Sequence, residues 1–569
     1  MNRATNICLI ALVAVVAFFC LRSLALAPPP SVSSADAADA LPDLAPVGAT
    51  LLEGLGNYSM SVTPSHPDVQ RWFDQALMLT YGFNHDAAER SFLKAAELDP
   101  QCAMCWWGAS LVLGPHVNAA MDPANNAAAY ERLQVARSLA DQVTERERAF
   151  IEALAARYQS DTPEDRTALD EAYAKAMADV ARAYPDDMDA STLYAEALMN
   201  LQPWDFWHED GSPKGNTPEI LSVLEGVMAQ APEHAGALHL YIHAVEASDE
   251  PERGVAAADR LRDLIPGSGH LVHMPSHIYA RVGRWRDAAD VNRDAIKADD
   301  TYLAICRPPM GVYPLGYVPH NHHFLWFATT MIGDSATALA AAEATAERTS
   351  DPDLMRAPGL SVMQDFALTP LFARVRFGRW DEVVATPQPA ADLPYMNAMW
   401  HYAQAIAALR GERMDAAVSH HESLRTLAAD PALAQMLVFD RYPLSLAVEV
   451  AERVVAAEVA AASGNRAAGI SILREAAALE DAIPYDEPPG WHQPVRQILG
   501  AMLLADEQAV EAEAVYRAEL QRNPENGWSL FGLMQALEAQ GRDADAAEVE
   551  ARFEQAWADA DIELSASAF

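Results

Sequence analysis

Eight of the seventeen histidines in this 569-residue chain fall in three short stretches, Leu238 to Glu246, His270 to His277 and His320 to His323. A neutral imidazole offers a nitrogen lone pair to a transition metal, so such a concentration points to metal chemistry or to acid–base work. His239 and His243 have the i, i+4 spacing that brings two imidazoles onto one helical face and one ion. The step from His239 to His273 is 34 residues and that from His243 to His277 is again 34, the period of a helix-turn-helix repeat. Successive repeats therefore carry histidine pairs at matching positions. His270 shares the face of the second pair, and His320 and His323 carry the set into a third repeat, whereas His322 is expected to point away. Glu246, one turn beyond His243, and Glu196, one repeat earlier, are the carboxylates placed to accept protons beside such a centre.

A lone histidine on a helix is usually a solvated or satisfied group. His239, His243, His270, His273, His277, His320 and His323 stand in register, and burying them without partners would cost roughly a few kcal/mol each. A shared metal or a dense hydrogen-bond network is the expected remedy, and a polar groove that binds peptide is the other reading. Seven imidazoles exceed the ligand set of one tetrahedral ion, so either two ions are bound or some histidines orient the ligands. Nitrogen-only ligation suits copper, zinc or iron, and copper is favoured because acidic ligand clusters are absent and the chain reads as exported.

The elements that must hold these residues are helices. From about Asp68 onward apolar residues recur at spacings of three and four, with Ala-rich faces and little alternation. Trp72 to Pro100, with Ala76, Ala88, Phe92 and Ala95, resembles a tetratricopeptide repeat in which small residues let two helices cross closely. Similar units centre on Ala288 and Ala295, on Ala338 and Ala342, on Gly500, Ala512 and Tyr516, and on Gly541 and Ala546. The predicted fold is an all-α tetratricopeptide-repeat solenoid, a right-handed superhelix whose concave groove takes ligands. Pro275 should delay or kink the helix that carries His270, His273 and His277. The Pro- and aromatic-rich segment from Ile305 to Pro319 reads as a lid or a rigid spacer, and Trp204 and Trp207 as walls of the pocket.

The chain carries 80 acidic against 40 basic residues, a formal charge of −40, which argues against nucleic acid and anionic membrane surfaces as partners. Residues 1–27, with Arg3 ahead of an apolar run from Ile7 to Leu21, read as a signal peptide or an uncleaved N-terminal membrane anchor. The protein is thus expected to be exported, periplasmic or anchored facing the periplasm. A Pro/Ser/Ala-rich linker is predicted over 28–62, a histidine-bearing array over 63–360 and a plainer array over 361–569. Beyond the leader only Cys102, Cys105 and Cys306 remain, and Cys102-x-x-Cys105 reads as a disulfide, with a soft-metal site or plain core packing as alternatives. His401, His420 and His421 lack comparable company and are expected to be solvated.

The strings Gly269 to Tyr279, Pro319 to Phe324 and Cys102 to Gly108 resemble a group of exported bacterial tetratricopeptide proteins, over nearly the whole mature chain. The resemblance implies the fold and a histidine-rich site and carries no reaction; the repeat motif by itself implies partner binding. Two functions follow from the residues. One is a metal-dependent enzyme acting on a small molecule or peptide, by copper or iron oxidation or by zinc hydrolysis with Glu246 or Glu196 as proton acceptor. The other is a non-catalytic scaffold or metal carrier that holds a peptide or protein in its groove.

Overall fold

The computed structural model describes residues 48–63, 66–308 and 310–569. The expected leader at 1–27, and the expected linker as far as residue 47, lie outside the described residues. Within them the fold is all-α, built as an α-solenoid of tetratricopeptide type from successive helix-turn-helix pairs. The described residues include one strand pair, Leu437–Val438 against Tyr442–Pro443, joined by an antiparallel turn. No helix among them is long and apolar enough to cross a membrane.

Local chemistry starts the helices where the sequence places caps. The Asn84 side chain accepts from the Ala87 amide ahead of His85–Leu98. Thr144 and Glu147 form a reciprocal capping box ahead of Glu145–Ala155, satisfying amides that the first turn leaves unpaired. His234 caps Ala235–Val245 through Nδ1, which accepts from the Ala237 amide.

Packing then depends on small residues at the crossings. Ala88, Ala95, Ala288, Ala295, Ala338, Ala342 and Ala512 are all fully buried. At Gly108 a methyl group would stand 2.3 Å from the Phe92 ring, and at Gly500 and Gly532 it would stand 2.3 and 2.2 Å from Tyr516. Helix backbone thus lies directly against aromatic faces, which any larger residue would push apart.

The described chain forms two compact units. One comprises residues up to 282 together with 290–321, and the other comprises 283–289 together with 322–569. The boundary expected near residue 361 falls inside the second unit.

In the first unit, helices Pro67–Tyr81, Ala235–Val245 and Gly269–His273 with Pro275–Arg281 carry or brace the histidines. Pro275 breaks the last of these as expected, at Met274, but Met274 keeps helical dihedrals of −51° and −37°. The two pieces therefore continue the same turn, and His270 and His273 sit on helix rather than on an entry loop. The segment after Cys306 contains a five-residue π-helical turn, Tyr313–Tyr317, that runs directly into the helix Val318–Met331.

In the second unit Trp528 is fully buried at the centre of a polar and aromatic knot. Its Nε1–H donates to the Thr330 carbonyl at 2.8 Å, the Arg376 guanidinium lies 3.8 Å over its ring, and Trp557 packs edge-on at 5.4 Å.

Candidate metal centre

Six of the seven histidines singled out in the sequence assemble into two triads. His239, His243 and His270 form one and His273, His277 and His320 the other, with the nitrogens of each set within 4.8 Å of one another. An ion bound tetrahedrally at about 2.0–2.1 Å holds its ligand nitrogens roughly 3.3 Å apart, so each triad has the dimensions of a metal site. All are buried except His320, which is half-buried. The triads adjoin: ring centres are 6.2 Å apart for His243 and His277, and 6.0 Å for His270 and His273.

The hydrogen bonds behind the rings decide which nitrogens face inward. Nδ1 of His239 lies 2.7 Å from the Tyr81 carbonyl oxygen, and Nδ1 of His273 lies 2.7 Å from Oδ1 of Asn292. Nδ1 of His243 is 2.8 Å from Glu246 Oε1, and Nδ1 of His277 is 2.8 Å from Glu246 Oε2. For His239, His243 and His273 the contact is a hydrogen bond to an acceptor oxygen, so these three Nδ1 atoms carry the proton and donate it, whereas His277 meets Glu246 at ion-pair distance without hydrogen-bond geometry. The Nε2 atoms of the three donors are left with lone pairs aimed into the triads, the arrangement in which outer partners orient metal ligands.

The consequence is sharpest between His273 and His277, whose Nε2 atoms are 2.8 Å apart. The lone pair of His273 Nε2 points at Nε2 of His277, and His320 adds its own Nε2 3.1 Å from that of His273. A cation held among the three would be within reach of all three nitrogens. In the other triad Nε2 of His239 and His270 are 3.1 Å apart, and the buried Nε2 of His243 has no hydrogen-bond partner. Burial first, and then the neighbouring imidazoles, hold His239, His270 and His273 well below the usual histidine range, which keeps them neutral and able to ligate.

Glu246 is fully buried behind two ligands and does not face the space between the triads as a free base. Burial alone would raise its carboxyl, but His277 and His243 together bring it down to about 2, so it is an ionised anchor. Glu196 lies on Met188–Met199, outside both triads; burial pushes its carboxyl up to about 7, against the opposing pull of Arg157.

His323 belongs to the second unit and to neither triad. Its ring stacks on Trp326 at 5.0 Å and meets Phe366 at 4.9 Å. His322, also outside the triads, is held down at about 4 by burial. Cys102 and Cys105 are joined in a disulfide, and Cys102 caps the helix Ala103–Leu111. His401 and His420 are not separately solvated: their Nδ1 atoms are 2.9 Å apart between neighbouring helices, and His421 is bonded to Glu452.

The walls of the first triad come largely from residues that sequence spacing did not single out. Phe83 closes it, with ring centres 4.5 Å from His239 and 5.6 Å from His270. Phe83 takes φ +53°, a left-handed conformation that costs a bulky residue roughly 1–3 kcal/mol, where the chain leaves Pro67–Tyr81. His116 stacks on Phe83 at 4.4 Å and Tyr317 packs against His270 at 4.4 Å. Trp204, an expected wall, meets His243 at 5.2 Å. Trp207 lies further out; its Nε1–H donates to the Ala244 carbonyl, and its ring borders an acidic cavity of about 510 Å³ that none of the triad histidines lines.

Asp299 braces both triads from outside. Its Oδ1 accepts from the Tyr313 hydroxyl at 2.8 Å, which in turn accepts from the His270 amide, and its Oδ2 accepts from Asn321, the neighbour of His320. Replacing Asp299 by alanine is expected to weaken metal binding about 10–100-fold, the usual penalty for losing an orienting partner. Competition with a chelator of known affinity measures this, and unchanged affinity would show that Asp299 serves the fold alone.

No protein-family model matches this chain, and no curated protein matches it. Among solved structures it is similar to the human IFIT1 dimer with m7Gppp-AAAA, at 12% identity over 86% of this chain and 90% of that one, with a TM-score of 0.30. It is likewise similar to Cut9 of the APC/C Cut9–Hcn1 hetero-tetramer, at 12% identity, 86% and 76% coverage and a TM-score of 0.30. Yeast Tom70 gives 12% identity, 86% and 90% coverage and a TM-score of 0.24. Scores of this size bear on no question of function. The molecule is described by its own features, an all-α helical-repeat protein with two adjoining histidine triads.

Proposed function

We propose that this protein is an exported metalloenzyme whose first unit binds two transition-metal ions, one in each triad, with copper the favoured metal. The observation that supports the reading is the gathering of six imidazoles into two triads, in which His239, His243 and His273 donate Nδ1–H to fixed oxygens and turn their Nε2 lone pairs inward. A group of neutral nitrogen ligands with no carboxylate among them suits copper, and zinc or iron is the next choice. Bound copper or iron would supply oxidation chemistry, and bound zinc would supply hydrolysis through a water ionised near neutrality.

The residues of the chain do the rest. Tyr81, Asn292 and Glu246 hold the rings in place, while Phe83 and Tyr317 keep bulk water from the first triad. The Cys102–Cys105 disulfide fits an oxidising compartment.

The near-complete burial of the imidazoles also favours a second reading, a carrier that saturates the ion's coordination and performs no reaction. Elemental mass spectrometry on the full chain, purified without a histidine tag, tests the first reading. About two equivalents of copper, iron or zinc per chain are expected, and a chain that stays empty after reconstitution overturns it. Binding of a small exogenous ligand such as azide, read as a shift in the metal's optical spectrum, separates an open enzyme site from a saturated carrier.

A further inference from the structure

Arg376 closes the helix Val362–Arg376 in the second unit and is 1% exposed, a cation taken almost wholly out of water. Its Nη2 donates to Gln497 Oε1 at 2.6 Å, and its guanidinium lies 3.8 Å over the Trp528 ring. Its Nε and Nη1 are buried and have no hydrogen-bond partner. Gln497 offers nothing more, because its amide nitrogen is committed to Asn526 and Ser529. Glu519 pulls on Arg376 from beyond ion-pair distance; it accepts from Asn523 at 2.6 Å and is shared with Arg496 and Arg522. Burial pushes the Glu519 carboxyl up, which weakens it as a counter-charge. A buried cation is normally paired, and orphaned donors of this kind mark a bound ion or water.

More unpaired N–H groups stand beside it. One turn before Arg376 on the same helix, Phe372 stacks on His492 with ring centres 4.5 Å apart and planes within 3° of parallel. Trp491 lies 4.7 Å from His492, and Tyr402 meets the two rings at 5.3 and 5.5 Å. The Trp491 indole N–H is buried without an acceptor, and neither ring nitrogen of His492 has a partner. Burial, and then the Arg376 charge, hold His492 down at about 3, so its ring is neutral and presents one N–H. The group thus offers one positive charge and several N–H donors.

We propose that Arg376, Trp491 and His492 form a buried binding site for one small monovalent anion, a halide or the carboxylate of a short acid. One guanidinium balances one negative charge, so a divalent phosphate or sulfate would stay uncompensated where water is excluded. The rings of Phe372 and Tyr402 wall the group and favour an anion of few atoms. The site lies within the second unit and does not depend on the metal reading.

Thermal unfolding of the full chain in sodium chloride, and separately in sodium acetate, tests this, with ionic strength held constant by the bulky sulfonate HEPES. The midpoint is expected to climb by roughly 3–5 °C for each tenfold rise in anion above its dissociation constant. A climb with acetate assigns a carboxylate site, and a climb with chloride alone assigns a halide site. Arg376→Met should abolish the dependence. Trp491→Phe, which keeps an aromatic ring and removes the N–H, should weaken the affinity about 10-fold. Crystals of the unaltered chain grown with sodium bromide, or with acetate, read the site even if Arg376→Met does not fold. Density for either anion within hydrogen-bond reach of Arg376 and Trp491 is expected, and water alone in both overturns the proposal. A midpoint that ignores both anions, or one that still follows them in folded Arg376→Met, overturns it as well.

Discussion

Alanine at His273 is expected to remove one of the two bound ions and leave the other in place. His273 is the hub of its triad, with its Nε2 2.8 Å from that of His277 and 3.1 Å from that of His320. Without it two imidazoles remain, and the loss of affinity should exceed the roughly 10–100-fold that attends removal of an outer partner. Asn292 would lose the N–H that its Oδ1 accepts, a disturbance of about 1–3 kcal/mol that a folded unit can absorb. His239→Ala should remove the ion of the other triad in the same way, and the double variant should be empty. His323→Ala is the control: its ring stacks on Trp326 outside both triads, so the metal content should stay at two. Elemental analysis with a circular-dichroism check of folding reads all four proteins. If His323→Ala loses metal as His273→Ala does, the assignment of the triads is wrong.

The largest stability effect is expected at a residue far from this chemistry in kind. Trp528→Ala should destabilise the second unit by about 3–5 kcal/mol, the cost of a large buried aromatic replaced by a methyl group. The indole is fully buried, fills the space between Trp557 and Phe569, and donates to the Thr330 carbonyl. Its removal also strips the face on which the Arg376 guanidinium rests. Burial lowers Arg376 to about 9, against the opposing pull of Glu519. Urea unfolding followed by tryptophan-independent circular dichroism measures the effect. A loss under about 1 kcal/mol would mean that the site collapses to refill the cavity, at the low extreme of such substitutions.

Much of the architecture was legible because it depends on local pattern. Alanines at the expected crossings, such as Ala88, Ala295 and Ala512, are all fully buried, since only a small side chain allows two helices to approach so closely. The break at Pro275 was legible from proline's missing N–H, but its mildness was not. Met274 keeps helical dihedrals, which depends on the packing of that turn and not on the proline itself.

The centre was legible in part. Period 34 put the two i, i+4 pairs in equivalent places, and both pairs do share a triad. His323 shares the repeat pattern but packs against Trp326 and Phe366, because aromatic neighbours from other turns claim it. His401 and His420, 19 positions apart on neighbouring helices, meet through tertiary packing that no spacing rule signals. The same holds for Phe83, Asn292 and Asp299, single residues of ordinary type whose roles arise from what faces them.

Sequence alone determined that the chain is helical, that its histidines recur with the repeat, and which helical face they share, because each of these follows from residues within one or two turns of each other. Tertiary structure decided how they are grouped. His270 lies one turn from His273 on the same helix, yet it joins His239 and His243 of the preceding repeat, while His273 and His277 take His320 from the next. Helix periodicity sets the direction of a side chain, but the partner it meets depends on how neighbouring helices stack. For the same reason Glu246, read from sequence as a base, stands behind two ligands from different repeats, hydrogen-bonded to His243 and at ion-pair distance from His277.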